Sequence, residues 1–230
     1  MRAVFRTERK RLYMVYATVI FDMDGTLLDT LADLTDSLNA VLEKNGFPTR
    51  SAREVRSFLG NGVRFLISSA LPENTEKQAA ECVLNEFKAH YAQHLQDKTC
   101  PYEGILPLLR SLRKMGIRTA IVSNKFDQAV KLLSADHFEG LVESAVGESE
   151  TVRRKPSPDG VLTAMRELSG TPEKTLYVGD SEVDVLTAKN AGTKCVGVTW
   201  GFRDRDVLES AGADYIIDRP EELLDIVKNG

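Results

Sequence analysis

Short apolar runs recur along the chain, and each of them stops at a polar residue or a glycine. The first run spans residues 15–21, is rich in β-branched side chains and stops at Asp22. A short continuous apolar run with an abrupt polar end is typical of a strand that is buried on both faces of a parallel sheet. Runs of the same kind lie at residues 118–122, 175–178, 194–198 and 215–217, and a weaker one lies at 142–146.

Around these runs the apolar residues are spaced three and four apart, as in amphipathic helices. The helical patterns cover residues 105–115, 126–137, 158–168, 183–191, 205–211 and 220–227. Four glycines follow helical patterns, and we expect each of them to adopt the left-handed conformation that ends a helix: Gly116, Gly170, Gly192 and Gly212. The alternation of strands and helices predicts an α/β fold, a doubly wound parallel sheet with right-handed crossovers.

One long segment, residues 31–97, interrupts this alternation because it contains no strand pattern. It contains helical patterns at residues 31–45, 51–59, 63–71 and 76–96, which turns at 46–48 and 60–62 separate. The sequence therefore predicts an all-helical module, residues 31–97, that is inserted into a sheet-based core formed by residues 14–30 and 98–230.

Composition and charge exclude several classes of protein. Hydrophobic residues make up 42% and charged residues 28% of the 230 residues, as in ordinary globular proteins. The net charge of −4 argues against a nucleic-acid partner, and no run approaches the ~20 apolar residues that span a bilayer. The three widely spaced cysteines form no metal-binding pair, so we expect reduced, buried thiols and a cytoplasmic location.

Residues 1–13 differ from the rest of the chain because they carry five basic residues and one acidic residue. They lack the apolar stretch and the cleavage site of a secretory signal. We expect a basic N-terminal extension outside the fold, with Met14 as the first residue of the core.

Polar residues follow the predicted strands where each strand ends. They are Asp22, Asp24, Gly25 and Thr26 after the first strand, Ser123 and Asn124 after residues 118–122, and Asp180 and Asp184 after residues 175–178, with Lys155 ahead of a helix. Ligands bind at the carboxyl ends of the strands in open α/β sheets. Carboxylates that are gathered there repel one another unless a hard divalent cation such as Mg²⁺ binds between them. Lysine, hydroxyl and backbone N–H donors beside such a cation favour phosphoryl transfer.

These residues fall into four ordered motifs, Asp22-x-Asp24-Gly25-Thr26, Ser123, Lys155-Pro156 and Gly179-Asp180-Ser181-x-x-Asp184. In this order they resemble the motifs of the haloacid dehalogenase (HAD) superfamily, and the helical insert resembles the C1 cap of that superfamily. The resemblance covers about residues 16–227 and implies a Rossmann-like core.

The resemblance also implies a role for each motif residue. Asp22 would be the nucleophile and Asp24 the general acid and base. Mg²⁺ would bind the Asp22 carboxylate, the Asp24 main-chain carbonyl and Asp180, while Asp184 would orient bound water or Lys155. The transferring phosphoryl group would be bound by Gly25, Thr26, Ser123, Asn124 and Lys155.

Each assignment has a simpler alternative. Asp24 is also a favoured residue at the start of a helix, and Asp184 is also a favourable charge in a first helical turn. Ser123 is equally consistent with the start of an ordinary loop. Lys155 follows two arginines, and its alternative is one more solvated charge, although only Lys155 precedes a proline as the motif requires.

The stretch Gly60-Asn61-Gly62, followed by Arg64, is the candidate specificity loop of the helical insert. Its glycines allow the backbone to approach a ligand closely, and the start of a helix favours anions. It resembles the cap loop of phosphoglycolate phosphatases, as Val122-Ser123-Asn124-Lys125 does in the core. Two interpretations of this stretch stay open: Arg64 binds a substrate carboxylate, or the stretch is a plain interhelical turn followed by an exposed arginine.

The resemblance implies a Mg²⁺-dependent phosphatase that acts on a small phosphorylated metabolite through an aspartyl phosphate, with 2-phosphoglycolate as the first candidate. Inorganic pyrophosphatase and sugar-phosphate phosphatase or mutase activities of the same superfamily remain open. A more distant alternative is a receiver-like signalling module with a stable phosphoaspartate, although Asp24, the helical insert and the length all disfavour it.

Overall fold

Six parallel strands form the central sheet of the computed structural model, which describes residues 15–230. The predicted basic extension, residues 1–13, lies outside the described residues. The strand order is β5-β4-β1-β6-β7-β8, and β2 and β3 pair separately as an antiparallel ribbon. The strands are β1 Thr18–Phe21, β2 Leu28–Asp29, β3 Cys100–Pro101, β4 Arg118–Phe126, β5 Ser144–Glu148, β6 Thr175–Gly179, β7 Lys194–Val198 and β8 Tyr215–Ile217.

Helices cover both faces of the sheet and fill the segment between β2 and β3. They are α1 Leu31–Lys44, α2 Ala52–Phe58, α3 Val63–Ala70, α4 Lys77–His94, α5 Ile105–Lys114, α6 Asp127–Phe138, α7 Asp159–Glu167, α8 Glu182–Ala191, α9 Arg205–Ala211 and α10 Leu223–Asn229. No helix among residues 15–230 is long and apolar enough to cross a membrane.

The sheet has the doubly wound topology that the sequence predicts. From β1 the chain adds β4 and β5 on one side, then returns to add β6, β7 and β8 on the other. The strand order therefore reverses between β1 and β6, which pair directly with Thr18 beside Thr175. In such sheets a crevice opens at this reversal, at the carboxyl ends of the strands.

The helices α1 to α4 enclose an apolar core of their own side chains. Leu38, Val55, Leu66 and Phe87 are each buried to 2% exposure or less, and they come from four different helices. The chain leaves and re-enters the core through the β2–β3 ribbon, where Leu28 pairs with Pro101. This ribbon fixes the four helices above the carboxyl end of β1.

Three details differ from the sequence expectations. Strand β4 continues past residue 122 to Phe126, with an irregular register after Val122, so Ser123 and Asn124 lie within the strand rather than after it. Gly116, Gly192 and Gly212 have positive φ, but at the end of α7 it is Ser169 that does so, with φ of 49°. Cys195 is buried, whereas Cys82 and Cys100 are exposed.

The reason for Gly170 is a close approach rather than a left-handed turn. A Cβ atom at Gly170 would lie 3.1 Å from the Thr18 hydroxyl oxygen and 3.3 Å from that of Thr175. The glycine therefore lets the loop after α7 pass directly against the amino ends of β1 and β6.

Candidate active site

The carboxyl end of β1 places Asp22 at the crevice. Its main-chain N–H donates to the carbonyl of Val178 at 2.8 Å, which continues the β1–β6 pairing by one residue. The side chain is 8% exposed, and its Oδ1 accepts a hydrogen bond from the N–H of Met23 at 2.7 Å. Gly25, with φ of 81°, turns the chain here, and a Cβ at this position would collide with the Asp180 carboxylate.

Lys155 links the two acidic motifs. Its ammonium lies 2.9 Å from Oδ1 of Asp22 and 2.7 Å from Oδ1 of Asp184. Burial lowers the pKa of Lys155, but the charges of Asp184 and Asp22 outweigh this effect and raise it above its usual range. The side chain is 3% exposed, so Lys155 is a buried, paired cation and not a solvated charge.

Asn124 holds Lys155 in place through the backbone. Its Oδ1 accepts a hydrogen bond from the N–H of Lys155 at 2.6 Å, and its Nδ2 donates to the carbonyl of Lys155 at 3.2 Å. The same Nδ2 donates to the carbonyl of Gly60 at 2.9 Å. The amide that we expected to bind phosphate thus connects the Lys155 loop to the helical insert.

Asp180 lies at the carboxyl end of β6 and is 1% exposed. Its Oδ1 accepts a hydrogen bond from the Thr26 hydroxyl at 3.2 Å, and its Oδ2 accepts one from the N–H of Phe202 at 2.7 Å. Burial, together with the charge of Asp184, raises the pKa of Asp180 to about 7. The Thr26 side chain therefore orients Asp180, and the main-chain N–H of Thr26, which the sequence analysis expected to bind phosphate, donates to the carbonyl of Met23 at 3.3 Å.

Asp184 fits both interpretations from the sequence analysis, a favourable charge in a first helical turn and a residue that orients Lys155. It lies in the first turn of α8, where its Oδ2 accepts hydrogen bonds from the N–H and the hydroxyl of Ser181. Its Oδ1 accepts hydrogen bonds from Lys155 and, at 3.2 Å, from the Tyr177 hydroxyl. Both oxygens are thus occupied by protein donors, which suits a residue that positions Lys155.

Three carboxylates of this cluster could hold a metal ion. One oxygen each from Asp22, Asp180 and Asp184 lies within 4.8 Å of the others, and all three residues are buried. With Asp24 and the lysines Lys125 and Lys155, four carboxylates meet two ammonium groups, so the ionised cluster has two excess negative charges. Hard carboxylate oxygens with this imbalance fit a divalent cation such as Mg²⁺.

Asp24 is paired with a lysine to which the sequence analysis assigned no role. Its Oδ1 lies 3.2 Å from the ammonium of Lys125, which is 4% exposed at the end of β4. Lys125 also donates a hydrogen bond to the hydroxyl of Tyr91, from α4, at 2.6 Å. The signal in the sequence was a lysine directly after Ser123-Asn124; the contribution of Tyr91 depends on how α4 packs.

A cavity of about 60 Å³ joins these groups beneath the helical insert. Asp22, Asp24, Ser123, Lys125 and Lys155 line it from the core side. On the opposite side it is lined by backbone at Gly60 and Gly62, by the aromatic residues Phe87 and Tyr91, and by the aliphatic residues Leu34, Leu59, Val63 and Leu66. The cavity is thus charged on the side of the sheet and mostly apolar on the side of the insert.

The structure does not bring all of the predicted loop residues to this cavity. Gly60 and Gly62 line it, whereas the carbonyl of Asn61 accepts a hydrogen bond from Arg154 at 3.3 Å. Arg64 is 62% exposed, pairs with Glu81 of α4 and lines a different surface groove. The expectation that Arg64 contacts a ligand beside Asp22 therefore does not fit its position.

The chain matches the family model for haloacid dehalogenase-like hydrolases over residues 19–198. Phosphoglycolate phosphatase of Aquifex aeolicus is 32% identical over 212 residues, which cover 92% of this chain and 96% of that protein. N-acetylmuramic acid 6-phosphate phosphatase of Pseudomonas aeruginosa is 31% identical over 211 residues, covering 91% and 93%.

A crystal structure shows the same fold at higher identity. It is that of a Lactobacillus delbrueckii subsp. bulgaricus protein provisionally named a phosphoglycolate phosphatase, with a TM-score of 0.90 and 36% identity. The match covers 94% of this chain and 100% of that chain. The chain described here therefore belongs to the haloacid dehalogenase-like hydrolase family, as a phosphoric monoester hydrolase similar to the phosphoglycolate phosphatases.

Proposed function

We propose that this protein is a cytoplasmic, Mg²⁺-dependent phosphatase that hydrolyses a small phosphomonoester, with 2-phosphoglycolate as the first candidate, through an aspartyl-phosphate intermediate. The observation that carries the proposal is the position of Asp22. Among the described residues its hydrogen bonds reach only Oδ1, so Oδ2 is left for attack on a phosphorus atom in the cavity.

In the first step, Oδ2 of Asp22 forms a bond to phosphorus as the bond between phosphorus and the leaving oxygen breaks. Asp24, which lines the same cavity, donates its proton to that oxygen and the alcohol leaves. In the second step the Asp24 carboxylate takes a proton from water, whose oxygen attacks phosphorus and releases phosphate and Asp22. Lys155 and the Ser123 hydroxyl bind the phosphoryl oxygens in both steps.

The carboxylates of Asp22 and Asp180, with the Asp24 main-chain carbonyl, are the groups that would hold Mg²⁺. When bound, the ion would neutralise charge on the transferring phosphoryl group and keep Asp22 ionised. Its charge is needed because burial raises the pKa of Asp22 well above its usual range, and Lys155 offsets this only in part. Asp184 acts on the site through Lys155.

We assign residues 14–30 and 98–230 to the catalytic core and residues 31–97 to a cap that covers the cavity. Because relatives at similar identity are named for phosphoglycolate and for N-acetylmuramic acid 6-phosphate, substrate choice has to be measured. A comparison of kcat/KM across both compounds, pyrophosphate and hexose phosphates would rank them.

The proposal is tested by the turnover of p-nitrophenyl phosphate. We expect hydrolysis that requires Mg²⁺, stops in excess EDTA and falls by at least about a thousandfold in the Asp22→Asn variant, because the amide is a poor nucleophile. The matched control, Asp36→Asn, removes an exposed carboxylate that pairs with Lys98 and should keep wild-type turnover. Turnover that persists in EDTA would contradict the metal requirement, and an active Asp22→Asn variant would contradict the intermediate.

A further inference from the structure

Lys125 has the properties of a buried anion-binding group. Its ammonium donates to the Tyr91 hydroxyl at 2.6 Å and lies 3.2 Å from Oδ1 of Asp24 and 4.4 Å from the centre of the Tyr91 ring. An ammonium has three N–H donors, and the Tyr91 hydroxyl accepts one of them, whereas Oδ1 of Asp24 is paired by charge and accepts no hydrogen bond from the described residues. Since Lys125 lines the cavity, a further donor is available to a ligand there.

Only two of the described residues that line this cavity are cationic, and they lie at different places. Lys155 pairs with the nucleophile Asp22, whereas Lys125 pairs with Asp24, the proposed proton donor to the leaving group. The opposite wall is mostly apolar. A second negative charge on a substrate would be costly to bury against that wall, and Lys125 is the cation positioned to pair with it.

On the premise of the proposed function, we propose that Lys125 is the specificity residue of this enzyme. It selects phosphomonoesters whose leaving group carries an anionic group one carbon away from the ester oxygen. In such a substrate the ester oxygen contacts Asp24 while the neighbouring carboxylate contacts the ammonium beside it. A 2-phosphoacid such as phosphoglycolate has this spacing.

The two arginines close to the Gly60–Gly62 turn, Arg64 and Arg154, do not line this cavity. Arg64 pairs with Glu81 and lines the outer groove, and Arg154 donates to the carbonyl of Asn61 and lines that same groove. Neither lines the cavity that contains Asp22. Recognition of a second anion therefore comes from the core strand β4, and the helical insert contributes by holding Lys125 through Tyr91.

The test compares two substrates that differ only in the second anion, phosphoglycolate and ethyl phosphate. We expect the wild-type enzyme to prefer phosphoglycolate in kcat/KM, and Lys125→Met to lower that preference by about 10- to 100-fold, which corresponds to one charge-assisted hydrogen bond. Because both substrates use Asp24, any effect of the substitution on proton transfer cancels in the ratio. Lys88→Met, an exposed site on α4, is the matched control and should keep the preference.

Equal losses for the two substrates in Lys125→Met would overturn the proposal and make Lys125 a residue that only positions Asp24. A wild-type enzyme that hydrolyses ethyl phosphate as well as phosphoglycolate would also overturn it, while leaving the phosphatase function intact. No hydrolysis of either ester would instead count against the proposed function.

If the Lys125→Met variant is inactive, the binding of substrate analogues can still test the role of Lys125. Calorimetry with two non-hydrolysable compounds, 3-phosphonopropionate and propylphosphonate, compares ligands with and without the carboxylate. We expect the wild-type protein and Tyr91→Phe, which keeps the lysine charge, to prefer 3-phosphonopropionate, and Lys125→Met to lose this preference. A preference that survives in Lys125→Met would refute the assignment.

Discussion

At the scale of single residues, the site depends on how each carboxylate is paired. Asp22, which we propose as the nucleophile, is paired with Lys155, whereas Asp24 is paired with Lys125. Asp24 is also the more accessible of the two acids, with its side chain 21% exposed against 8% for Asp22. This difference suits an acid that exchanges protons with leaving groups and water beside one that has to stay ionised.

The proposed role of Asp24 as proton donor predicts a dependence on the leaving group. Asp24→Asn should lower kcat for an alkyl phosphate by about 10²- to 10⁴-fold, because an alkoxide leaves poorly without a proton. The loss for p-nitrophenyl phosphate should be much smaller, since nitrophenolate needs little protonation. Steady-state kinetics with both esters measures the difference, and the same fractional loss for both would show that Asp24 is not the acid.

The sequence predicted the acids and Lys155 because their motifs have fixed spacing at strand ends, and the fold then brings those ends together. It assigned no role to Lys125 or Tyr91 because their contact joins β4 to α4, and helical periodicity does not reveal which residue of α4 meets the strand. The same limit explains why the sequence did not reveal the partner of Arg64. Spacing places it in the first turn of α3, but only the packing of α3 against α4 shows that Glu81 is its partner.

At the scale of elements, two arginines join the helical insert to the loop after β7. Arg56 of α2 donates to the carbonyls of Phe202 at 2.8 Å and Gly201 at 2.9 Å. Arg203 donates back to the carbonyl of Leu59 at 2.7 Å. The N–H of Phe202 binds Asp180, so closure of the insert and the position of this carboxylate depend on the same loop.

This contact predicts that Arg56 keeps the insert closed. Arg56→Met should raise KM and lower kcat/KM for phosphoglycolate by about tenfold, because the two hydrogen bonds that it loses close the insert over the substrate. Amide hydrogen exchange of α2 and α3 should become faster, while exchange in the sheet should not change. Arg53→Met, at an exposed site of the same helix, is the control; equal exchange rates in α2 for both variants would refute the closing role.

At the scale of the whole molecule, the topology follows from a few signals in the sequence. Buried apolar runs predicted β7 and β8 with their observed bounds, and the alternation with helices predicted a doubly wound sheet. The predicted end of β4, at residue 122, was wrong. The last residues of the strand include Ser123, Asn124 and Lys125, whose polar side chains do not continue an apolar run. The strand extends this far because Phe126 pairs with Glu148 of β5 beyond the irregular register, and no local pattern reveals that pairing.

The fold buries the Asp180 carboxylate, and the cost of ionising this group can be measured as a change in the free energy of unfolding with pH. Asp180, whose pKa is raised to about 7, binds a proton more tightly in the folded than in the unfolded protein, where the ordinary value is 3.8. Between these values the folded protein holds more protons, so the free energy of unfolding falls as the pH rises towards 7 and stays lower above it. A divalent cation on the cluster would offset this loss at high pH.

We therefore expect the melting temperature in EDTA to depend on Asp180. Raising the pH from 5.5 to 8 should lower the melting temperature of the wild-type protein by at least about 2 °C relative to Asp180→Asn, because the amide carries no charge to bury. The histidines His90 and His137, whose pKa values burial lowers, oppose this trend, but they are present in both proteins and cancel in the comparison.

Adding Mg²⁺ at pH 8 should raise the melting temperature of the wild-type protein and leave that of Asp180→Asn almost unchanged, because an ion that binds only the folded state stabilises it. Parallel pH profiles for the two proteins would show that Asp180 does not carry the buried charge. Equal stabilisation of the two proteins by Mg²⁺ would show that Asp180 does not bind the metal.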